Sequence, residues 1–313
     1  MLYPLMKQTV LTAMFLCVAA ATPACAQNVN DADASAKASL SETQENRLAA
    51  IRKAAEQGNA EKQFNLGSAY YGGLGGLAPD AKQGYAWHRK SAEQGYAPAQ
   101  YNMGVAHLKG QGASQDVQQA IAWYRKAAAQ GMPEAQTDIG VMYATGNGVA
   151  QDDRQAIAWY RKAAEQGYAR AQHYLSIRYK TGRGVAQDYQ QAAAWSHKAA
   201  EQGYAIEQHN LGVLYADGQG VIKDDLQAAA WFRKAAEQGF PPSQCNLGGR
   251  YFMGIGVEKD LVQAYKWVSL AASAGNETSA DRLPEIESQM TPDQLAQAKA
   301  LAKEWKRVKS SKI

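Results

Sequence analysis

The sequence predicts an all-α solenoid built from antiparallel helix pairs, and three observations carry that prediction. Trp87, Trp123, Trp159, Trp195, Trp231 and Trp267 are each 36 residues apart, and Gly95, Gly131, Gly167, Gly203, Gly239 and Gly275 keep the same interval. Self-similarity at a fixed period of this size marks a repeat architecture. The 313 residues also include 60 Ala, a composition that favours helix and excludes a β-sandwich or barrel. Each period, finally, contains two helical stretches divided by a glycine turn.

In chain order, residues 1–26 read as a Sec-type signal. Lys7 is their only charge, Val10 to Ala21 form an apolar core too short to span a bilayer, and Ala24-Cys25-Ala26 supplies small residues before a cut after Ala26. Met6-Lys7 is an alternative start. A lipid anchor on Cys25 is the competing reading, against which Thr22-Pro23-Ala24 lacks the usual aliphatic residue. Residues 27–41, alternating Ala, Asp, Ser and Asn, read as a flexible leader. Residues 42–58 read as a capping helix ending in Ala-Ala-Glu-Gln-Gly. The expected mature chain keeps one cysteine, Cys245, so no intrachain disulfide can form.

Residues 59–275 hold six copies of the pair. In the third, Gly131-Met132-Pro133-Glu134 opens the first helix, where Pro costs no hydrogen bond. Ala135, Ile139 and Tyr143 line one face at spacing four. Gly146-Asn147-Gly148 ends that helix with the positive φ a sharp turn needs. Asp152 then caps the second helix, with Gln155 three residues on, and the pattern repeats as Asp80/Gln83, Asp116/Gln119, Asp188/Gln191, Asp224/Gln227 and Asp260/Gln263. The spacing predicts a capping-box variant in which Gln reaches back to the cap, worth about 1 kcal/mol. On the second helix, Ala156, Trp159, Ala163 and Ala164 share a face. Small residues let helices approach while Trp fills the remaining groove, worth roughly 4–6 kcal/mol as an upper bound if fully buried. All six tryptophans are therefore assigned structural roles. Residues 276–313 form C-terminal capping helices and a basic tail: Pro284 breaks the pattern, and Thr291-Pro292-Asp293-Gln294 starts a last helix carrying Trp305, with Lys306, Arg307 and Lys309 near its end.

The string Ala-Gln-x-x-Leu-Gly-x-x-Tyr, then Gly-x-Gly-Val-x-x-Asp, then Ala-x-Trp-Tyr-Arg-Lys-Ala-Ala-Glu-Gln-Gly resembles the Sel-one-like repeat (SLR) family, a relative of the tetratricopeptide repeat. The resemblance covers residues 60 to 275. Two departures are local: the first loop, Gly72 to Leu77, has one extra residue, and Ser176 replaces the glycine of Leu-Gly. The resemblance implies one right-handed superhelix of about fifteen helices, with the first helix of each pair, helix A, lining a concave groove. It further implies that the two residues before Leu-Gly look inward: Phe64-Asn65, Tyr101-Asn102, Thr137-Asp138, His173-Tyr174, His209-Asn210 and Cys245-Asn246. Asparagines there can hydrogen-bond a peptide backbone or satisfy a neighbouring helix. One turn on, Arg178 and Arg250 can receive a carboxylate. Cys245 reads as a small buried hydrophobe or an exposed thiol.

No constellation points to chemistry. The Gly-x-Gly strings lie between helices, without the preceding strand of a dinucleotide loop or the Gly-Lys-Ser/Thr of a P-loop. Histidines 88, 107, 173, 197 and 209 include no i, i+4 pair. His173 and His209, in one column, are expected about 8–10 Å apart, too far to share an ion without a third ligand. Neither a metal nor a cofactor is expected. Ser-x-x-Lys and Gly-x-Ser-x-Gly are absent, as are the paired cysteines of the family branch linked to β-lactams. Arg89-Lys90, Arg125-Lys126, Arg161-Lys162, Lys198 and Arg233-Lys234 could form a ladder for a polyanion such as lipopolysaccharide or DNA, but Glu93, Glu165, Glu201 and Glu237 interleave with them. With a net charge of only +4, a solvated face is the expectation and nucleic acid is not an expected partner. The reading is thus an exported, periplasmic or secreted, monomeric, non-enzymatic scaffold without a membrane span, binding a protein or peptide in its groove. The alternatives are a cell-wall or β-lactam-active protein and a polyanion-binding surface protein.

Overall fold

In a computed structural model describing residues 45–310, with side chains to 306, fifteen helices follow one another and no strand occurs among the described residues. The expected signal, leader and start of the capping helix lie outside them. Helix α1 spans 45–56. Six pairs follow, each helix 13 residues long: α2 Ala60–Gly72 with α3 Ala81–Glu93, α4 Ala97–Lys109 with α5 Val117–Ala129, α6 Pro133–Thr145 with α7 Asp153–Glu165, α8 Ala169–Thr181 with α9 Tyr189–Glu201, α10 Ala205–Asp217 with α11 Asp225–Glu237, and α12 Pro241–Met253 with α13 Leu261–Ser273. Two capping helices close the array, α14 Glu277–Glu287 and α15 Pro292–Ser310. The even-numbered helices α2 to α12 are helix A, and the odd-numbered α3 to α13 are helix B.

Every helix B starts on its aspartate, as expected. Asp80, Asp116, Asp152, Asp188, Asp224 and Asp260 each accept the main-chain N–H of the glutamine three residues on, at 2.9–3.0 Å. The reciprocal half of the box does not form. Each cap N–H instead donates to a carbonyl in the last turn of the helix A before it, such as Asp152 to Tyr143 at 2.9 Å and Asp80 to Tyr70 at 2.8 Å. That bond already satisfies the donor the glutamine was to reach, and it pins both ends of the loop.

The two loop glycines act differently. Gly146 caps α6 in the left-handed region at φ 72°. Gly220, at φ 73°, lies so close to the start of the preceding helix B that a Cβ would sit 1.9 Å from the Tyr189 carbonyl oxygen. The second glycine therefore sets the contact between successive pairs. In the longer first loop, Gly75 packs instead against Leu48 of α1.

The tryptophans correct the sequence reading. Trp231 and Trp267 are buried, but Trp87, Trp123, Trp159 and Trp195 are half-buried. The position facing helix A is the next one along. There Tyr124, Tyr160 and Phe232 press on Gly104, Gly140 and Gly212, where a Cβ would lie 2.5–2.7 Å from a ring carbon. Ser176, the odd residue in that glycine column, belongs to the pair whose facing position is Ser196, also buried. Trp123, Trp159, Trp195 and Trp231 lie against the preceding pair, and the first five tryptophans carry on the ring face the lysine three residues on: Lys90, Lys126, Lys162, Lys198 and Lys234 sit 3.7–4.3 Å from the ring centroids.

A polar ladder that the sequence reading passed over joins the pairs. The Ala-Gln glutamines donate to helix-B carbonyls eight residues earlier, as in Gln136 to Ala128 at 3.3 Å, and accept from the glutamine before the next turn glycine, as in Gln166 at 2.8 Å. The same double bond recurs at Gln100/Gln130, Gln172/Gln202 and Gln208/Gln238.

Candidate functional site: the row of A helices

Within the six pairs, α6 and α8 are the successive helices of one row that approach most closely, and side chains bridge α4 to α6, α8 to α10 and α10 to α12 as well. The A row is thus closely joined from pair to pair. Along it, the residues two before each Leu-Gly fill the seams between neighbouring helices. Tyr101 donates to Asp138 at 2.9 Å, and Arg170 pairs with the other oxygen of Asp138 at 2.7 Å. His173 meets Glu207 at 2.7 Å, and His209 meets Ser243 at 2.9 Å. Phe64 stacks on His88 with centroids 5.0 Å apart, and Cys245 is buried. This column was expected to face a ligand. It is instead largely spent on joining one pair to the next, because a helix facing a groove must still pack sideways on two neighbours.

The column one before Leu-Gly is more open. All six of its residues are half-buried. Asp138 is held as described. Tyr174 stacks on Tyr160 with centroids 4.8 Å apart, Asn65 reaches Glu61 of its own helix at 3.5 Å, and Asn210 donates to Glu207. Asn102 and Asn246 have no side-chain partner among the described residues. Glu207 stands out in this region. It is fully buried where the neighbouring pairs have Ala171 and Ser243, and its Oε2 has no hydrogen-bond partner.

Arg178 and Arg250 do not wait for a ligand carboxylate. Each is about nine-tenths buried and reaches back 25 residues to the first residue of the preceding helix B: Arg178 to Asp153 at 2.6 Å, and Arg250 to Asp225 at 3.1 Å. The double Asp of Asp152-Asp153 and Asp224-Asp225 was the available signal, with the first capping and the second pairing. Elsewhere the same register holds apolar residues, Val117 with Met142 and Tyr189 with Leu214.

A column of apolar residues falls at the position two after Leu. Val105, Val141, Ile177 and Val213 occupy it in four consecutive pairs, half-buried or, at Ile177, 36 % exposed. Ile206, 37 % exposed, lies two turns before Val213 toward the N-terminal end of α10. Val105, Val141 and Val213 each also pack against a hydrophobic cluster beside them, so only part of each side chain faces outward; a β-branched column at the 36-residue interval was a readable signal.

No three His, Cys, Asp or Glu side chains come together among the described residues. Among the described residues two Ser–His contacts occur, and neither has the geometry of an activated serine. His88 Nε2 lies 3.1 Å from both Ser68 Oγ and the Phe64 carbonyl. A carbonyl only accepts, so Nε2 carries the proton and cannot take one from Ser68. Burial pushes His88 down to about 4 despite that bond. His209, also lowered by burial, meets a Ser243 that is fully enclosed.

Six consecutive matches to the Sel1 repeat model cover residues 61–96, 97–132, 133–168, 169–204, 208–240 and 241–276. The chain belongs to the Sel1 repeat family. Among solved structures, it is similar to a protective antigen of uropathogenic Escherichia coli displaying an SLR fold, at 38 % identity and TM-score 0.74 over 82 % of this chain and 56 % of that one. This chain thus spans little more than half of that antigen. A Sel1 repeat protein from Oxalobacter formigenes matches at 35 % identity and TM-score 0.65, over 69 % of this chain and 89 % of that one. A search of curated proteins gave no match. Sel1 repeat proteins are generally protein-interaction scaffolds, typically non-catalytic. No helix among the described residues is long and apolar enough to cross a membrane.

Proposed function

We propose that this chain is an exported, non-catalytic scaffold that holds a protein or peptide along the concave row of A helices. The observation carrying this reading is the Val105–Val141–Ile177–Val213 column, bordered by the uncommitted amides of Asn102 and Asn246. An apolar stripe with polar hydrogen-bonding groups at its margin suits a chain segment that buries side chains and leaves its backbone to be satisfied at the edge. The exported part of the reading rests on residues 1–26 and places the partner in the periplasm or outside the cell. The family's usual lack of catalysis and the proton on His88 Nε2 support the non-enzymatic part.

Crosslinking pull-down from envelope extract tests the groove. Ile177→Glu and the pair Asn102→Ala/Asn246→Ala should lower the yield of a specific partner while the unfolding midpoint stays close to wild type. Equal yield from all three proteins would remove the groove from consideration. Covalent labelling of the chain by a fluorescent penicillin would overturn the non-catalytic reading.

A further inference from the structure

Exposed apolar side chains gather where the fifth and sixth pairs meet. Ile222, just before α11, is 90 % exposed, and Leu226, in its first turn, is 71 % exposed. Met253 ends α12 at 59 % exposed, and Ile255 follows it at 37 %. The two segments adjoin. One nitrogen of the Arg250 guanidinium donates to the Asp225 and Ile255 carbonyls, each at 3.3 Å, and a Cβ added to Gly256 would lie 3.0 Å from the Leu226 nitrogen.

The repeat itself does not require apolar residues here. At the position of Leu226 the other B helices carry Lys82, Gln118, Arg154 and Gln190, or Val262, which is buried among the capping helices. Gln118 has a use there: it donates to the Gly148 carbonyl of the next loop at 2.9 Å, which a leucine cannot do. At the position of Ile255 stand Gln111, Asn147, Arg183 and Gln219. The apolar character therefore belongs to this joint and not to the repeat. Within five residues of the four side chains, the exposed charges are Asp217, Lys223, Glu258 and Lys259, two of each sign.

We propose that Ile222, Leu226, Met253 and Ile255 form a two-fold contact with a second copy of this chain, in place of the monomer expected from the sequence. A two-fold interface meets its own image, so it must be self-complementary. An apolar centre bordered by equal numbers of both charges meets that condition, whereas an anionic membrane surface would call for an excess of lysine. At these exposures the four side chains present roughly 400 Å² of apolar surface, within the range of functional patches. Apolar atoms make up about 60 % of an interface, so the patch corresponds to roughly 650 Å² on each copy and about 1,300 Å² in all. That lies at the lower end of stable interfaces. The contact does not use the Val105–Val213 column, so it leaves the proposed groove to another partner.

Sedimentation velocity of the full chain between about 1 and about 100 μM reads the association. Wild type should pass from one copy to two across that range. Leu226→Gln copies Gln118 and Gln190, and Ile222→Ala copies Ala150 and Ala186. Together they should weaken dimerisation at least about tenfold, because each change counts twice in a two-fold contact. Neither side chain is enclosed, so the unfolding midpoint of the dilute chain should not move. Leu74→Ala removes another exposed leucine from the first loop and should leave association unchanged. A wild type that stays single throughout overturns the proposal, as does growth beyond two copies or a dimer that survives the double variant. Binding of a single-copy wild type to phosphatidylglycerol or phosphatidylcholine vesicles, lost in the double variant, would assign the patch to a lipid surface and overturn it too.

Discussion

Single side chains in this molecule are read correctly only with their partners. His88 occupies the position that is Tyr124 and Tyr160 in the next two pairs. Its ring is enclosed, and burial holds it near 4 rather than its usual 6.5. The unfolded chain therefore binds a proton that the folded one refuses, and stability falls as pH drops from about 6.5 toward 4, by on the order of 3 kcal/mol for this group. Thermal melts across that range should show the loss, and His88→Tyr should reduce it while preserving the packing. The glycine facing the ring is equally constrained. Gly140→Ala places a methyl 2.6 Å from a Tyr160 carbon and should cost about 1–3 kcal/mol in denaturant titrations. Ser176→Gly, whose facing position is a small serine, should cost less. The glycine and the aromatic were each visible in the sequence. Their pairing was not, because the eye follows the invariant Trp and the contact belongs to the variable residue after it.

At the scale of the element, boundaries were legible and joints were not. Asp caps, prolines at helix starts and glycines at helix ends are local signals, written within four residues of their effect. The glutamine ladder and the Arg–Asp pairs join residues 30 and 25 positions apart, a distance fixed only once helix B turns back on helix A. For the same reason the column chosen for ligand contact proved to be mostly seam, and the outward Val105–Val213 column went unread. Removing Asp153 should strand the largely buried Arg178, whereas Asp153 keeps Arg183 at 3.4 Å if Arg178 is removed. Asp153→Val should destabilise by about 2–4 kcal/mol and Arg178→Met by less, whereas the double change, which copies the Val117/Met142 junction, should cost less than Asp153→Val alone. A double-mutant cycle in urea measures all three, and additivity of the two single costs would refute the coupling.

At the scale of the whole molecule, stability is a sum over pairs and the contacts between them. Fold class followed from a period and a composition, because a repeat that recurs six times has little choice but to stack. Function was less legible: a binding groove is distinguished by what it leaves unsatisfied, which becomes visible only when every seam has been filled. Six copies of one sequence motif nonetheless do not make six interchangeable parts. Asp153 meets Arg178 and Asp225 meets Arg250, while the same register holds Tyr189 and Leu214 between them, and Val117 with Met142 and Ala81 with Ala106 before them. The first two joints are both apolar, and from Val117 onward charged and apolar joints alternate, so in that stretch the unit that can be cut out or copied without mismatch is two repeats long. Deleting 169–204 would set Asp153 against Leu214, a carboxylate against a hydrocarbon. Deleting 169–240 would set it against Arg250, and that shorter chain should fold cooperatively where the first melts early. From the Val117 joint onward the array would grow or shrink in steps of 72 residues, twice the 36-residue period.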